Sequence, residues 1–103
     1  MADYLADVKK YSPDADEAIV AKLVKDLALV LKDRDSSLVA ASDQDELDRV
    51  RDGFAKKRLG LSAEAAEAGI KDVVAKMKGD RSKSRVTFYY LLAEATGTLS
   101  KLG

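Results

Sequence analysis

Residues 86–95 read VTFYYLLAEA, and this segment sets the architecture of the whole chain. Wound as an α-helix, it is apolar or aromatic on nearly every side, leaving only Thr87 and Glu94 in a narrow polar gap. A helix of that kind is either the centre of a bundle or half core and half interface. With 103 residues, the chain has few other helices to surround it. The segment therefore predicts an all-α core and a self-association surface, with Phe88, Tyr89 and Leu92 as candidate interface residues. Downstream, Gly97 ends the helix and leaves a short tail to Gly103.

Upstream, residues 76–85 (KMKGDRSKSR) hold five bases and one acid. Lys76 and Lys78 suit the negative end of the preceding helix. Arg81, Lys83 and Arg85 stand instead at the start of the next one, where cations oppose the helix dipole. With Ser82, Ser84 and free backbone N–H groups they form a candidate anion seat for phosphate, on a ligand or on nucleic acid. A helix-turn-helix reader is a poorer match, because Phe88, Tyr89, Leu91 and Leu92 leave no exposed face for base edges beyond the first turn.

Four helices precede that loop. Ser62 caps a segment presenting Ala66, Ile70, Val73, Val74 and Met77 inward and ending at Gly79, with Glu67 and Lys71, and Asp72 and Lys76, as outer i, i+4 pairs. Before it, Ser42 caps a helix with a narrow stripe of Leu47, Val50 and Phe54, outer pairs Asp45–Arg49 and Asp52–Lys56, and Gly60 as terminator. Earlier still, a box of Asp14 and Glu17 opens the longest apolar run, to about Lys32, with Ile19, Val20, Leu23, Val24, Leu27, Val30 and Leu31 on one face. Leu29 falls on the opposite side, among charges, and joins the candidate interface residues. A short helix carrying Tyr4, Leu5, Val8 and Tyr11 closes at Ser12-Pro13. Residues 34–41 read as a connection with a helical turn near Leu38 and Val39. The pattern gives about five helices in one domain spanning residues 1–103.

Composition supports the class and limits the chemistry. Hydrophobic residues make up 47%, sixteen of them Ala, with one Pro, a mixture that favours helix. Eighteen bases balance eighteen acids, yet residues 1–55 carry a net −5 and residues 56–103 a net +5, so the two halves attract. The chain has no His, Cys, Trp or Asn, which removes thiol nucleophiles, imidazole bases and nitrogen or sulfur metal ligands. No nucleotide-binding loop or nucleophile elbow is present. Asp33, Asp35 and Ser37 match the first positions of an EF-hand loop, but Leu38 stands where Gly is needed and Gln44 where a bidentate Glu is needed. Glu94 in its apolar helix is the one candidate acid with a shielded setting, and pairing with an Arg or a Tyr hydroxyl is its ordinary role. These readings predict a non-enzymatic domain without metal or cofactor. The acidic N-terminus is no signal peptide and no apolar run reaches membrane-spanning length, which predicts a cytoplasmic protein with no membrane contact.

The segments MADYLADVKKYSPDAD, ELDRVRDGFAKKRLGL and KMKGDRSKSRVTFYYLLAE together resemble a family of short bacterial proteins known only as a domain of unknown function, DUF2853. The resemblance runs from near residue 1 to near residue 100, which implies that the chain is the whole protein. It implies a small, soluble, helical bacterial domain, and carries no catalytic or binding residue to transfer. The sequence thus leads to an interaction module, most directly a homo-oligomer, with anion binding as the alternative.

Overall fold

The computed structural model describes residues 4–33, 37–79 and 83–102. Seven α- and π-helical segments and a terminal 3₁₀ turn are ordered around one buried helix: α1 (Tyr4–Lys9), α2 (Glu17–Asp26), α3 (Ala28–Leu31), α4 (Gln44–Arg49), a π-helical segment (Val50–Arg58), α5 (Ala63–Lys76), α6 (Arg85–Ala95) and the turn Leu99–Lys101. The class is all-α.

Helix α6 is the segment quoted above, and every residue from Val86 to Ala93 is buried. Helices α1, α2, α5 and the π segment all pack on it. Each buried Phe or Leu there contributes about 1.5–3 kcal/mol relative to exposure. Its polar groups are satisfied by the N-terminal elements. Thr87, placed in a polar gap by the sequence, is fully buried and donates its hydroxyl proton to Asp7. The Tyr90 hydroxyl accepts the Asp16 backbone N–H at 2.9 Å.

This burial corrects the self-association reading of α6. Phe88 and Leu92 are 0% exposed and Tyr89 8% within a single chain, because neighbouring helices close around α6 on every side. None of the three offers area to a second copy. Of the candidate interface residues only Leu29 remains at the surface, at 81% exposure.

Local signals operate as their chemistry requires, with shifts of one or two residues. Gly60 adopts φ of +68°, the left-handed terminator expected there, and Gly97, expected to end α6, does so with φ of +69°. Ser62 caps α5 through the Ala65 N–H, and the helix ends at Lys76. Asp16, rather than Asp14, caps α2. Asp43, rather than Ser42, caps α4. The long apolar run breaks at Leu27 into α2 and α3, a bend that keeps Leu27 and Leu31 against the core. The connection before α4 carries no helical turn at Leu38. It forms an antiparallel bridge to Ser84, with Val39 N–H donating to Lys83 O and Arg85 N–H to Ser37 O, both at 2.8 Å.

The π segment is the element that the sequence hid. Buried Val50, Ala55 and Leu59 must face α5 and α6 together. In an α-helix, residues five and nine positions on point about 140° and 180° away. Winding with i→i+5 hydrogen bonds brings them onto one side. Its outer half-turns carry Arg51 and Asp52, and Arg58 at its end pairs with Asp26 of α2 at 2.6 Å.

Candidate functional site

Where α4 and the π segment run beside α5, a groove of about 380 Å³ opens. Its apolar floor is Leu47, Ile70 and Val74, and its rim is Gln44, Asp48, Arg51, Glu67 and Lys71. The size falls within the range of about 300–1,000 Å³ typical of ligand clefts.

Arg51 organises the rim. Its Nε and Nη2 donate to the two Asp52 oxygens at 2.8 and 3.0 Å, and Nη1 donates to Glu67 at 2.8 Å. Asp48 lies 3.4 Å from Nη1 and accepts from Gln44 Nε2 at 2.8 Å. The hydrogen bonds to Asp52 and then Glu67 hold the Arg51 pKa above its ordinary value, and the Arg51 hydrogen bonds hold Asp52 below its own. Sequence analysis paired Glu67 with Lys71 and Asp52 with Lys56. The structure gives both acids to Arg51, which the π winding carries to the side of α5. Arg51 was not singled out from sequence, since its main tie to another element spans sixteen residues and helical spacing signals only neighbours.

A second polar cluster lies under α6. Glu46 is held by Arg85 on one oxygen and by Arg49 on the other, the latter at 2.9 Å. Arg85 also donates to the Tyr89 hydroxyl at 2.9 Å and to Leu38 O at 3.2 Å, and the Tyr89 ring stacks on Phe54 at 3.9 Å between centroids. Burial alone would raise the Glu46 pKa, but the hydrogen bonds and charges of Arg85 and Arg49 outweigh it and lower the pKa. Arg49 therefore serves Glu46, not Asp45.

These contacts take Arg85 out of the anion seat read from sequence. The Arg85 guanidinium is turned inward onto Glu46, and its N–H is taken by Ser37 O, so neither faces a ligand. Ser84 Oγ is buried and makes no hydrogen bond among the described residues. Lys83 has its carbonyl bound to Val39 N–H. Arg81 and Ser82 lie outside the described residues, as does Asp35 of the EF-hand-like run.

Glu94 is tied into the fold, but by a serine and a lysine rather than the Arg or Tyr hydroxyl expected from sequence. It accepts the Ser12 hydroxyl proton at 2.6 Å and lies 4.0 Å from Lys76, beside a cavity of only about 90 Å³. Lys76 thus turns to α6 rather than to Asp72.

Among the described residues no helix is long and apolar enough to cross a membrane. Fold and site together define an all-helical domain with an open amphipathic groove and a last long helix buried from Val86 to Ala93. Over residues 3–100 the chain matches the family described as Protein of unknown function (DUF2853), and it belongs to that family. Compared with curated proteins, it matches none.

Proposed function

We propose that this domain is a non-enzymatic interaction module of the bacterial cytoplasm that receives an apolar side chain of a partner protein in the groove between α4, the π segment and α5. The observation that carries the reading is the floor of Leu47, Ile70 and Val74 inside a rim of charges. An apolar centre with a polar surround is the arrangement by which protein contacts gain both affinity and register. The reading also draws on a sequence with no His or Cys and on a partly exposed carboxylate, Glu94, that is already hydrogen-bonded.

A photo-crosslinking residue in place of Lys71 tests this in bacteria expressing the protein. A discrete protein adduct is expected. It should disappear with Val74→Lys and be absent when the crosslinker replaces Lys101 instead. No adduct at Lys71, or one indifferent to Val74→Lys, overturns the reading.

A further inference from the structure

The two walls of the groove are tied by one polar side-chain contact. Among the described residues, the pair of Arg51 and Glu67 is the one side-chain hydrogen bond or ion pair that joins α5 to the continuous helix of α4 and the π segment. Arg51 and Glu67 are also the lining residues nearest the connection of residues 59–62, where the two helices converge: α5 packs closely on the π segment and far less on α4. The pair therefore spans the groove's inner end. One turn along α5 from Glu67 lies Ile70, the deepest part of the floor at 5% exposure, whereas Leu47 and Val74 are half-buried.

Both partners of the pair have a second place to go. Without Glu67, Arg51 keeps the two Asp52 oxygens, at 2.8 and 3.0 Å, and Asp48 at 3.4 Å. Glu67 stands four residues before Lys71, the order in which a helical Glu–Lys pair is favourable, and Lys71 makes no hydrogen bond or ion pair among the described residues. Exchange of Glu67 from Arg51 to Lys71 thus leaves every charge on the rim paired. The Glu67 side chain is 60% exposed, and ion pairs so open to water part at little cost.

We infer that Glu67 is a latch on the groove, shut on Arg51 and open on Lys71, that decides whether the apolar floor ends at Leu47 and Val74 or runs on to Ile70. The inference rests on the groove being an interaction site, and names how that site is regulated. With the latch shut, the half-buried outer floor takes a short apolar side chain. With it open, a longer one reaches Ile70. A partner side chain that fills the inner end keeps Glu67 on Lys71, so binding and opening are linked.

The chain has two isoleucines, Ile19 and Ile70, so the Ile70 methyl resonance reports on the latch, with Ile19 of α2 as the reference. Its relaxation by a neutral gadolinium chelate in solution measures contact with solvent. Relative to Ile19, the exposed substitution Glu67→Gln should raise that relaxation about threefold, the factor an exposed ion pair is worth, and Lys71→Met should lower it about twofold. A crosslinker at Lys71 removes the open-state partner, so adding Glu67→Gln there reopens the inner end and should raise the yield of the protein adduct. An Ile70 methyl equally exposed in the wild type and both variants overturns the latch, and leaves standing the groove's function, which the adduct tests on its own. A responsive methyl with an adduct yield that Glu67→Gln does not change overturns the regulatory role.

Discussion

At the scale of single residues, the same substitution is expected to have opposite signs at two glycines. A Cβ on Gly69 would lie 2.6 Å from Thr96 Cγ2 and 2.8 Å from Leu92 Cδ1, closer than side chains approach. Gly69 is what lets α5 and α6 come together. Overpacking costs about 1–3 kcal/mol, while Ala gains about 0.8–1.0 kcal/mol over Gly in a helix. Gly69→Ala should therefore lose about 1 kcal/mol net. At Gly53 a Cβ meets nothing within 4 Å, so Gly53→Ala should gain about 0.5–1 kcal/mol. Urea unfolding midpoints of the two variants, read against the wild type, check both signs. Gly60 and Gly97 are legible in sequence as helix terminators because each stands just past a helical run. The role of Gly69 was not, because a close approach depends on which helix lies opposite.

At the scale of elements, helix number and core faces could be read because periodicity records burial. Ala66, Ile70, Val73 and Met77 are all buried as their spacing implies. What periodicity missed was a change of winding within one continuous helix. Leu47, Val50 and Phe54 satisfy an α stripe, but burial follows Glu46, Val50, Ala55 and Leu59, at spacings of four, five and four. The five marks the π turn. Deleting Gly53 makes all three spacings four, which an α-helix accommodates. That variant should stay cooperatively folded within about 1 kcal/mol of the wild type. Deleting exposed Ala68 from α5 instead rotates Ile70, Val73 and Met77 by about 100° relative to Ala66 and should cost more than about 3 kcal/mol. Urea titrations followed by circular dichroism separate these outcomes. Equal damage from both deletions would mean that the π turn is not a one-residue excess over an α-helix.

At the scale of the whole molecule, the unequal charge of the two halves foretold their attraction but not its form. Among the described residues two ion pairs run from an acid of the first half to a base of the second, Asp26 to Arg58 at the surface and Glu46 to Arg85 beneath α6, while Arg51 to Glu67 joins the halves in the opposite sense. That attraction turns Arg85, read from sequence as part of an open anion seat, inward. It is inside that Arg85 meets the Tyr89 hydroxyl, one turn on in its own helix, and the Glu46 carboxylate, thirty-nine positions away, which helical spacing does not reveal. The inner tie gives the fold a specific acid sensitivity. Glu46 titrates below its ordinary 4.5 in the folded protein, so the folded state binds its proton less readily than the unfolded chain. Its stabilisation is therefore complete above about pH 4.5 and is lost as pH falls through the lowered folded value. Glu46→Gln removes the charge and leaves Arg85 poorly matched, at a cost of about 2–3 kcal/mol at pH 7, with both side chains mostly buried. The cost should shrink as pH is lowered beneath 4.5, since the wild type then loses the same charge. Urea unfolding free energies of wild type and variant, measured between pH 7 and pH 3, should converge toward the acid end. A constant gap across that range would show that Glu46 does not hold Arg85 as a carboxylate.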